Sequence, residues 1–174
     1  MTIPKIIKGL RERLLEEAER QLVEGGYSSM TIRAVAKECQ VAVGTVYNYF
    51  SGKEEFVAYA LLVRWKKAMD NITEVANTCR TPKDLVRSIY DQLCAFMDQY
   101  RVLFRDEEAI AVFAASIGRY HELLRNQLAQ PLLPFCQSEF EAEFVSEAVL
   151  TWTVAGEGFD EIYQVVRKIL SKER

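Results

Sequence analysis

The hydrophobic positions of this chain recur at intervals of three and four residues almost from end to end, which is the signature of amphipathic helices. Ile6, Leu10, Leu14, Ala18 and Leu22 follow one another at spacing four, with Ile7, Leu15 and Val23 beside them. That stripe predicts a helix over 6–24, ended by Gly25-Gly26, because glycine is favoured where a chain turns off a helix axis. Thr31 stands where a side-chain oxygen caps a second helix, whose apolar face is Ile32, Val35, Ala36 and Cys39. A break at 40–42 leads into a third helix over about 43–50, with Val46 and Phe50 four apart and facing inward.

Longer elements follow. Ser51-Gly52-Lys53-Glu54 has the form of a capping box and opens a helix over roughly 52–77. Pro82 after Thr81 sits at a first helical position, where no amide hydrogen is needed, and predicts a helix over 82–100. A segment at 102–116 precedes a helix over 117–136, whose end Pro131 and Pro134 disturb. Ser138-Glu139-Phe140-Glu141 is a further capping box, for a helix to about 155. Gly156-Glu157-Gly158 is a turn, and 159–171 is the last helix, with Phe159, Ile162, Val165 or Val166, and Ile169 on one side. The alternating β-branched runs that announce strands are missing. The expected fold class is all-α: a three-helix domain over 1–51, then a helical bundle over 52–174.

Composition adds limits. A chain of 174 residues, 49% hydrophobic and 27% charged, is long enough to bury a core without disulfides or metals. A net charge of −3 gives the whole molecule no basic footprint. Within 31–53, however, Arg33, Lys37 and Lys53 face Glu38 alone, so a nucleic-acid contact belongs in that window. Cys39, Cys79, Cys94 and Cys136 lie far apart without a CxxC pair, and His121 is the sole histidine. That pattern points to reduced thiols and against a metal site, and no cofactor is expected. No nucleophile–base pair suggests an enzyme. The N-terminal stretch lacks the apolar centre of a signal peptide, and no apolar run reaches about 18 residues. The expectation is a cytoplasmic protein with no membrane partner.

Residues 32–50 have the form of a helix-turn-helix. Ala36 is small where a second helix must cross closely, and the second helix keeps apolar residues inward and polar ones outward. Such a second helix enters the major groove of DNA. Gly44 removes bulk where backbone approaches the duplex, and Thr45 offers a hydroxyl to a phosphate or base. Asn48 matches an adenine edge, and Tyr47 presents a ring to a thymine methyl. Tyr49 and Lys53 are placed for phosphates, as are the free N–H groups of the helix opened by Ser51. The competing reading is a plain three-helix subdomain in which Tyr47 or Tyr49 packs inward with a wet hydroxyl.

The stretch GGYSSMTIRAVAKECQVAVGTVYNYFSGKEEF resembles the N-terminal domain of the TetR (tetracycline repressor) family of bacterial transcriptional regulators. The matching features are Gly26-Tyr27, Thr31-Ile32-Arg33, Val35-Ala36, Val41, Gly44-Thr45-Val46-Tyr47, Tyr49-Phe50 and Lys53-Glu54-Glu55, within residues 8–58. The resemblance implies an all-helical homodimer on double-stranded operator DNA, with a variable C-terminal part that binds a small-molecule effector. It implies phosphate contacts from Thr31, Thr45, Tyr49 and Lys53, and approach to bases by Arg33, Gly44, Tyr47 and Asn48. The implied function is a repressor released from a palindromic operator by its effector. The alternative is a DNA-binding helical dimer with an architectural or activating role and no effector. Gln40 departs from the pattern, because the family usually has glycine in that turn and a side chain tolerates positive φ less well.

The last two helices look like the family's dimerising pair. Phe140, Phe144, Val145, Ala148, Val149, Trp152, Ala155 and Phe159 suit an intersubunit four-helix bundle, with intramolecular core as the competing reading. Trp65, Phe96, Tyr100, Phe104, Phe113 and Tyr120 are candidates for an effector pocket, and each also suits ordinary core. Arg64, Arg119 and His121 read as partners of an anionic ligand or as solvated surface.

Overall fold

The computed structural model describes residues 9–114 and 117–170. Ile6 and Ile7, residues 115–116 and position 171, all included in predicted elements, lie outside the described residues. Among the described residues the regular structure is entirely helical: α1 (Leu10–Ser29), α2 (Ile32–Glu38), α3 (Val43–Tyr47), α4 (Lys53–Thr78), α5 (Pro82–Gln99), α6 (Glu107–Phe113), α7 (Ile117–Leu132), α8 (Glu139–Ala155) and α9 (Phe159–Val166). Short 3-10 turns occupy Leu103–Arg105 and Leu133–Phe135.

Two compact units divide the chain, and their limits do not follow chain order. The first comprises Met1–Arg64 with Gln99–Phe113; the second comprises Trp65–Asp98 with Ala114–Arg174. The first unit therefore reaches beyond residue 51, taking in the opening turns of α4 and the segment that ends with α6.

In the first unit, Leu10, Leu14, Ala18 and Leu22 are fully buried, as the four-residue stripe predicts. Phe50 stacks on Phe56 with ring centroids 4.0 Å apart, joining the end of the short-helix region to α4. Tyr100 is also fully buried, and its hydroxyl donates to Glu19 Oε1 at 2.8 Å. The glycine pair ends the straight run of α1, as predicted. Gly26 adopts φ 76° and ψ −174°, which kinks the element, and one more turn runs to Ser29 with Tyr27 buried. Glycine is required there for two reasons. Its φ is left-handed, and an added Cβ would lie 3.1 Å from both Asp106 Oδ2 and Val102 Cγ1.

The start of α4 also differs in detail from its predicted capping box. Ser51 N–H and Oγ donate to Glu55 Oε2 at 2.6 and 2.8 Å, so the reciprocating carboxylate is Glu55. Glu54 instead accepts from the Tyr27 hydroxyl at 3.0 Å. α5 begins at Pro82 as predicted, and Asp84 N–H also donates to Thr81 Oγ1 at 3.3 Å.

The second unit is built on one core that includes Trp65, Ile72, Leu85, Ile89, Leu128, Phe135, Val145, Val149, Phe159 and Ile162. Ser138 caps α8 by accepting from Glu141 N–H at 3.2 Å, and Gly156 ends it at φ 94°. α7 tolerates Pro131 one residue before its end and passes into the 3-10 turn that holds Pro134. α9 ends at Val166, short of the predicted limit, where the N–H groups of Lys168 and Ile169 turn back to the carbonyls of Val165 and Val166.

Candidate nucleic-acid interface

The first unit holds α2 and α3 through a small number of specific bonds. Thr31 is extended at φ −134°, and its Oγ1 accepts from Ala34 N–H at 3.1 Å, so it caps α2 as predicted. The oxygen is engaged by the cap, while the hydroxyl proton remains a donor for a phosphate. At the other end of α2, Val41 N–H reaches Ala36 O at 2.9 Å and Gln40 N–H reaches Lys37 O at 3.0 Å. This pair of bonds is the Schellman arrangement, which puts the residue after the C-cap in the left-handed region. That residue is Gln40, at φ 58°, the sole non-glycine positive φ among the described residues. The turn thus keeps the geometry a glycine would take, at a conformational cost of about 1 kcal/mol. Arg13 on α1 donates to Cys39 O at 3.0 Å and so ties the same turn to the first helix.

α3 is shorter than predicted, covering Val43–Tyr47. Val46 is its buried anchor. Asn48 forms the C-cap, with its N–H on Thr45 O at 3.2 Å, so Asn48 and Tyr49 fall just past the helix. Asn48 keeps helical dihedrals of φ −74° and ψ −14°. Gly44, Tyr47 and Asn48, related by three and four residues, therefore share one side. Gly44 is open, with no atom within 4 Å of a Cβ built on it. Tyr47 is 54% exposed, and Asn48 and Arg33 are exposed as well. Thr45 and Tyr49 are half-buried. The inward reading of Tyr47 does not hold; Tyr49 is intermediate.

Two predicted phosphate sites are occupied by the protein's own carboxylates. Glu55 accepts both the N–H and the hydroxyl of Ser51 ahead of α4, and these bonds hold its carboxyl below the usual range. The Ser51 N–H ahead of α4 is thus already engaged. The Lys53 ammonium lies 3.9 Å from the Tyr27 ring centroid and 3.7 Å from Glu108 Oε1. Nothing in the local sequence around Lys53 signals Glu108, which arrives from α6. Asp106 caps α6 by accepting from Ala109 N–H at 3.1 Å, and accepts Ser28 N–H at 2.6 Å and Ser28 Oγ at 2.9 Å. The Ser28 backbone bond leads the causes that keep the Asp106 carboxyl below its ordinary range.

The six aromatics predicted for an effector pocket do not form one set. Tyr100, Phe104 and Phe113 belong to the first unit, and Trp65, Phe96 and Tyr120 to the second. Tyr100 is core, and Phe113 packs edge-on against Tyr27 at 5.9 Å. Trp65 is core too, edge-on to Phe96 at 5.8 Å, with its indole N–H donating to Gln127 Oε1 at 2.5 Å. Phe104 and Tyr120 are exposed. Among the polar candidates, His121 pairs with Glu147 Oε1 at 2.9 Å, so its partner is internal.

The proposed interface set also divides. Val149 and Phe159 are buried in the core of their own unit and are corrected from interface to core. Phe140, Phe144 and Trp152 are exposed at 72%, 49% and 53%, and with half-buried Ala148 they follow a four-residue spacing along α8. A shallow groove lined by Gln137, Phe140, Glu141, Phe144, Lys168 and Ile169 runs beside this stripe.

Similarity to known proteins concentrates in the helix-turn-helix region. Residues 14–60 match the family described as bacterial regulatory proteins, tetR family. The HTH-type transcriptional regulator PksA of Bacillus subtilis (strain 168) is 30% identical over 79 residues, covering 45% of this chain and 38% of PksA. The HTH-type transcriptional repressor KstR of Rhodococcus jostii (strain RHA1) is 41% identical over 54 residues, covering 31% of this chain and 26% of KstR. These matches thus span well under half the length of the curated relatives. Over almost the whole chain the fold is similar to that of a transcriptional regulator from Cytophaga hutchinsonii, with a TM-score of 0.69, 15% identity and 92% of each chain covered. The capped α2, the turn at Gln40 and the open Gly44 all lie inside the stretch, residues 14–60, that is similar to the tetR family of bacterial regulatory proteins.

Proposed function

We propose that the chain is a DNA-binding transcriptional regulator that reads sequence with α3 and the residue after it. The observation that carries this reading is the exposed group of Arg33, Gly44, Tyr47 and Asn48, held by a buried Val46 and by the caps on α2. An exposed aromatic, an amide and an open backbone position are what a base edge and its flanking phosphates require. Asn48 faces adenine, Tyr47 a thymine methyl, and Thr31, Thr45, Tyr49 and Lys53 the phosphates. The functional division at residue 51 is part of the same reading: the reading helix before it, Lys53 just past it on a phosphate, and assembly and effector binding in the rest.

The regulator works as a homodimer through the exposed stripe of α8. One chain carries one reading helix, whereas a two-fold operator needs two, about a helical turn or a multiple of it apart. Phe140, Phe144 and Trp152 are large exposed apolar side chains at four- and eight-residue spacing on α8, able to meet a second copy. A repressor role is supported by the similarity to the transcriptional repressor KstR. An effector acts from the second unit through α4, which has residues in both units. A ligand shifts that helix only by its differential affinity for two states, and operator DNA must then weaken the ligand's binding by the same factor.

Selection of bound duplexes from random DNA tests the reading. The expected result is one enriched motif with two-fold symmetry. Protection without sequence preference would favour an architectural role and overturn the proposal.

A further inference from the structure

We propose that Glu108 sets the DNA affinity of this chain by competing with the phosphate backbone for Lys53. The proposal rests on the DNA-binding reading above and adds a residue to it from outside the matched stretch. Of the three cations in 31–53, Arg33 and Lys37 are exposed, while the Lys53 side chain retains only 19% of its accessibility. Its ammonium is covered from two directions, by the Tyr27 ring at 3.9 Å and by Glu108 Oε1 at 3.7 Å.

The two neighbours differ in what they do to a phosphate contact. A ring face attracts the cation without neutralising it, so Tyr27 can stay in place when a phosphate arrives. A carboxylate cancels the charge, so Glu108 must be exchanged for the phosphate. Glu108 is not delivered by a loose loop. Asp106, two residues earlier, fixes the start of α6 to the end of α1 through Ser28 N–H at 2.6 Å and Ser28 Oγ at 2.9 Å. Gly26 lets that approach happen, since any Cβ there would meet Asp106 and Val102. The chain thus holds an anion against one of its own phosphate-binding groups.

Glu108 is itself half-exposed, so the pair is weak, and its loss is worth about two- to fivefold in affinity. Because phosphate contacts carry no sequence information, the gain must be the same on every duplex. The test is Glu108→Gln in the full chain, with binding measured to a selected site and to a scrambled duplex. Both measurements are repeated in a Lys53→Ala background. Glu107→Gln removes the same charge one residue away, without an ion pair to Lys53, and serves as control. In parallel, acylation of the Lys53 amine by a small activated ester is followed by mass spectrometry without DNA.

The expected result is a two- to fivefold gain on both duplexes, absent from Glu107→Gln and abolished by Lys53→Ala, with faster acylation of Lys53. An equal gain in Glu107→Gln, or a gain that survives Lys53→Ala, would show a general charge effect and overturn the proposal. So would unchanged acylation, or wild-type binding without any gain in Glu108→Gln. A wild-type chain that binds neither duplex would instead refute the DNA-binding reading on which the proposal stands.

Discussion

Tyr47 in the first unit and Trp152 in the second are almost equally exposed, at 54% and 53%, but they sit in opposite surroundings. Tyr47 shares its short helix with Gly44, Thr45 and the capping Asn48, a set with donors and acceptors. Trp152 ends a stripe of Phe140, Phe144 and Ala148 that has none beyond its own indole N–H. A surface of the first kind suits a partner with polar edges, such as base pairs in a groove. One of the second kind suits another apolar face, and a second copy of the chain supplies the same face. Exposure alone does not separate DNA contact from assembly; the company each aromatic keeps does.

The most forceful way to break this comparison is a pair of substitutions on α8. Val149→Glu places an unpartnered carboxylate in the core and should cost about 3–5 kcal/mol in thermal or denaturant unfolding. Trp152→Glu should leave folding within about 0.5 kcal/mol, yet convert a dimer to a monomer in sedimentation. If both destabilise the fold alike, Trp152 is core and the second half of the comparison fails.

A smaller effect sharpens the first half. Gln40→Gly should stabilise the chain by about 0.5–1 kcal/mol, because it relieves a left-handed side-chain residue in the turn that carries α3. Denaturant midpoints measure it, and a destabilised variant would mean that the Gln40 side chain supports the turn.

Smaller still is the pH dependence of the α1–α6 tie. Asp106 has its folded pKa lowered, chiefly by Ser28 N–H. Its contribution is therefore complete above the unfolded value of about 3.9 and is lost as pH falls through the folded value. Wild type should exceed Asp106→Asn in stability at neutral pH, and the gap should close below about pH 4. A gap that persists in acid would assign the effect to something other than the carboxylate.

Much of the first unit was legible because short-range chemistry defines it. Thr31 and Val46 play the parts their positions imply, and the missing glycine at Gln40 announced the one left-handed side-chain residue among those described. What was missed there arrives from far along the chain. Gly25-Gly26 is the stop it looked like, and the further turn to Ser29, whose Ser28 N–H donates to Asp106, was not foreseen. Lys53 was read as a phosphate contact without its neighbour Glu108, which is invisible at the level of local sequence.

In the second unit α8 is apolar on both sides, so periodicity could not assign Val149 to the core and Trp152 to the surface. The aromatics from Trp65 to Tyr120 were pocket candidates by residue type alone, with core as the competing reading; the chain places them in two units.

The proposed division of labour gives Asn48 a base to read and Lys53 a phosphate to hold. The direct measurement is the affinity of wild type, Asn48→Ala and Lys53→Ala for a selected site and for its single-base variants, across a salt series. Asn48→Ala should lose about 1–3 kcal/mol of discrimination at one base position. Lys53→Ala should weaken every sequence alike and lower the salt slope by about one. If Lys53→Ala changed the base preference while Asn48→Ala left it intact, the assignment of reading and holding to these residues would be contradicted.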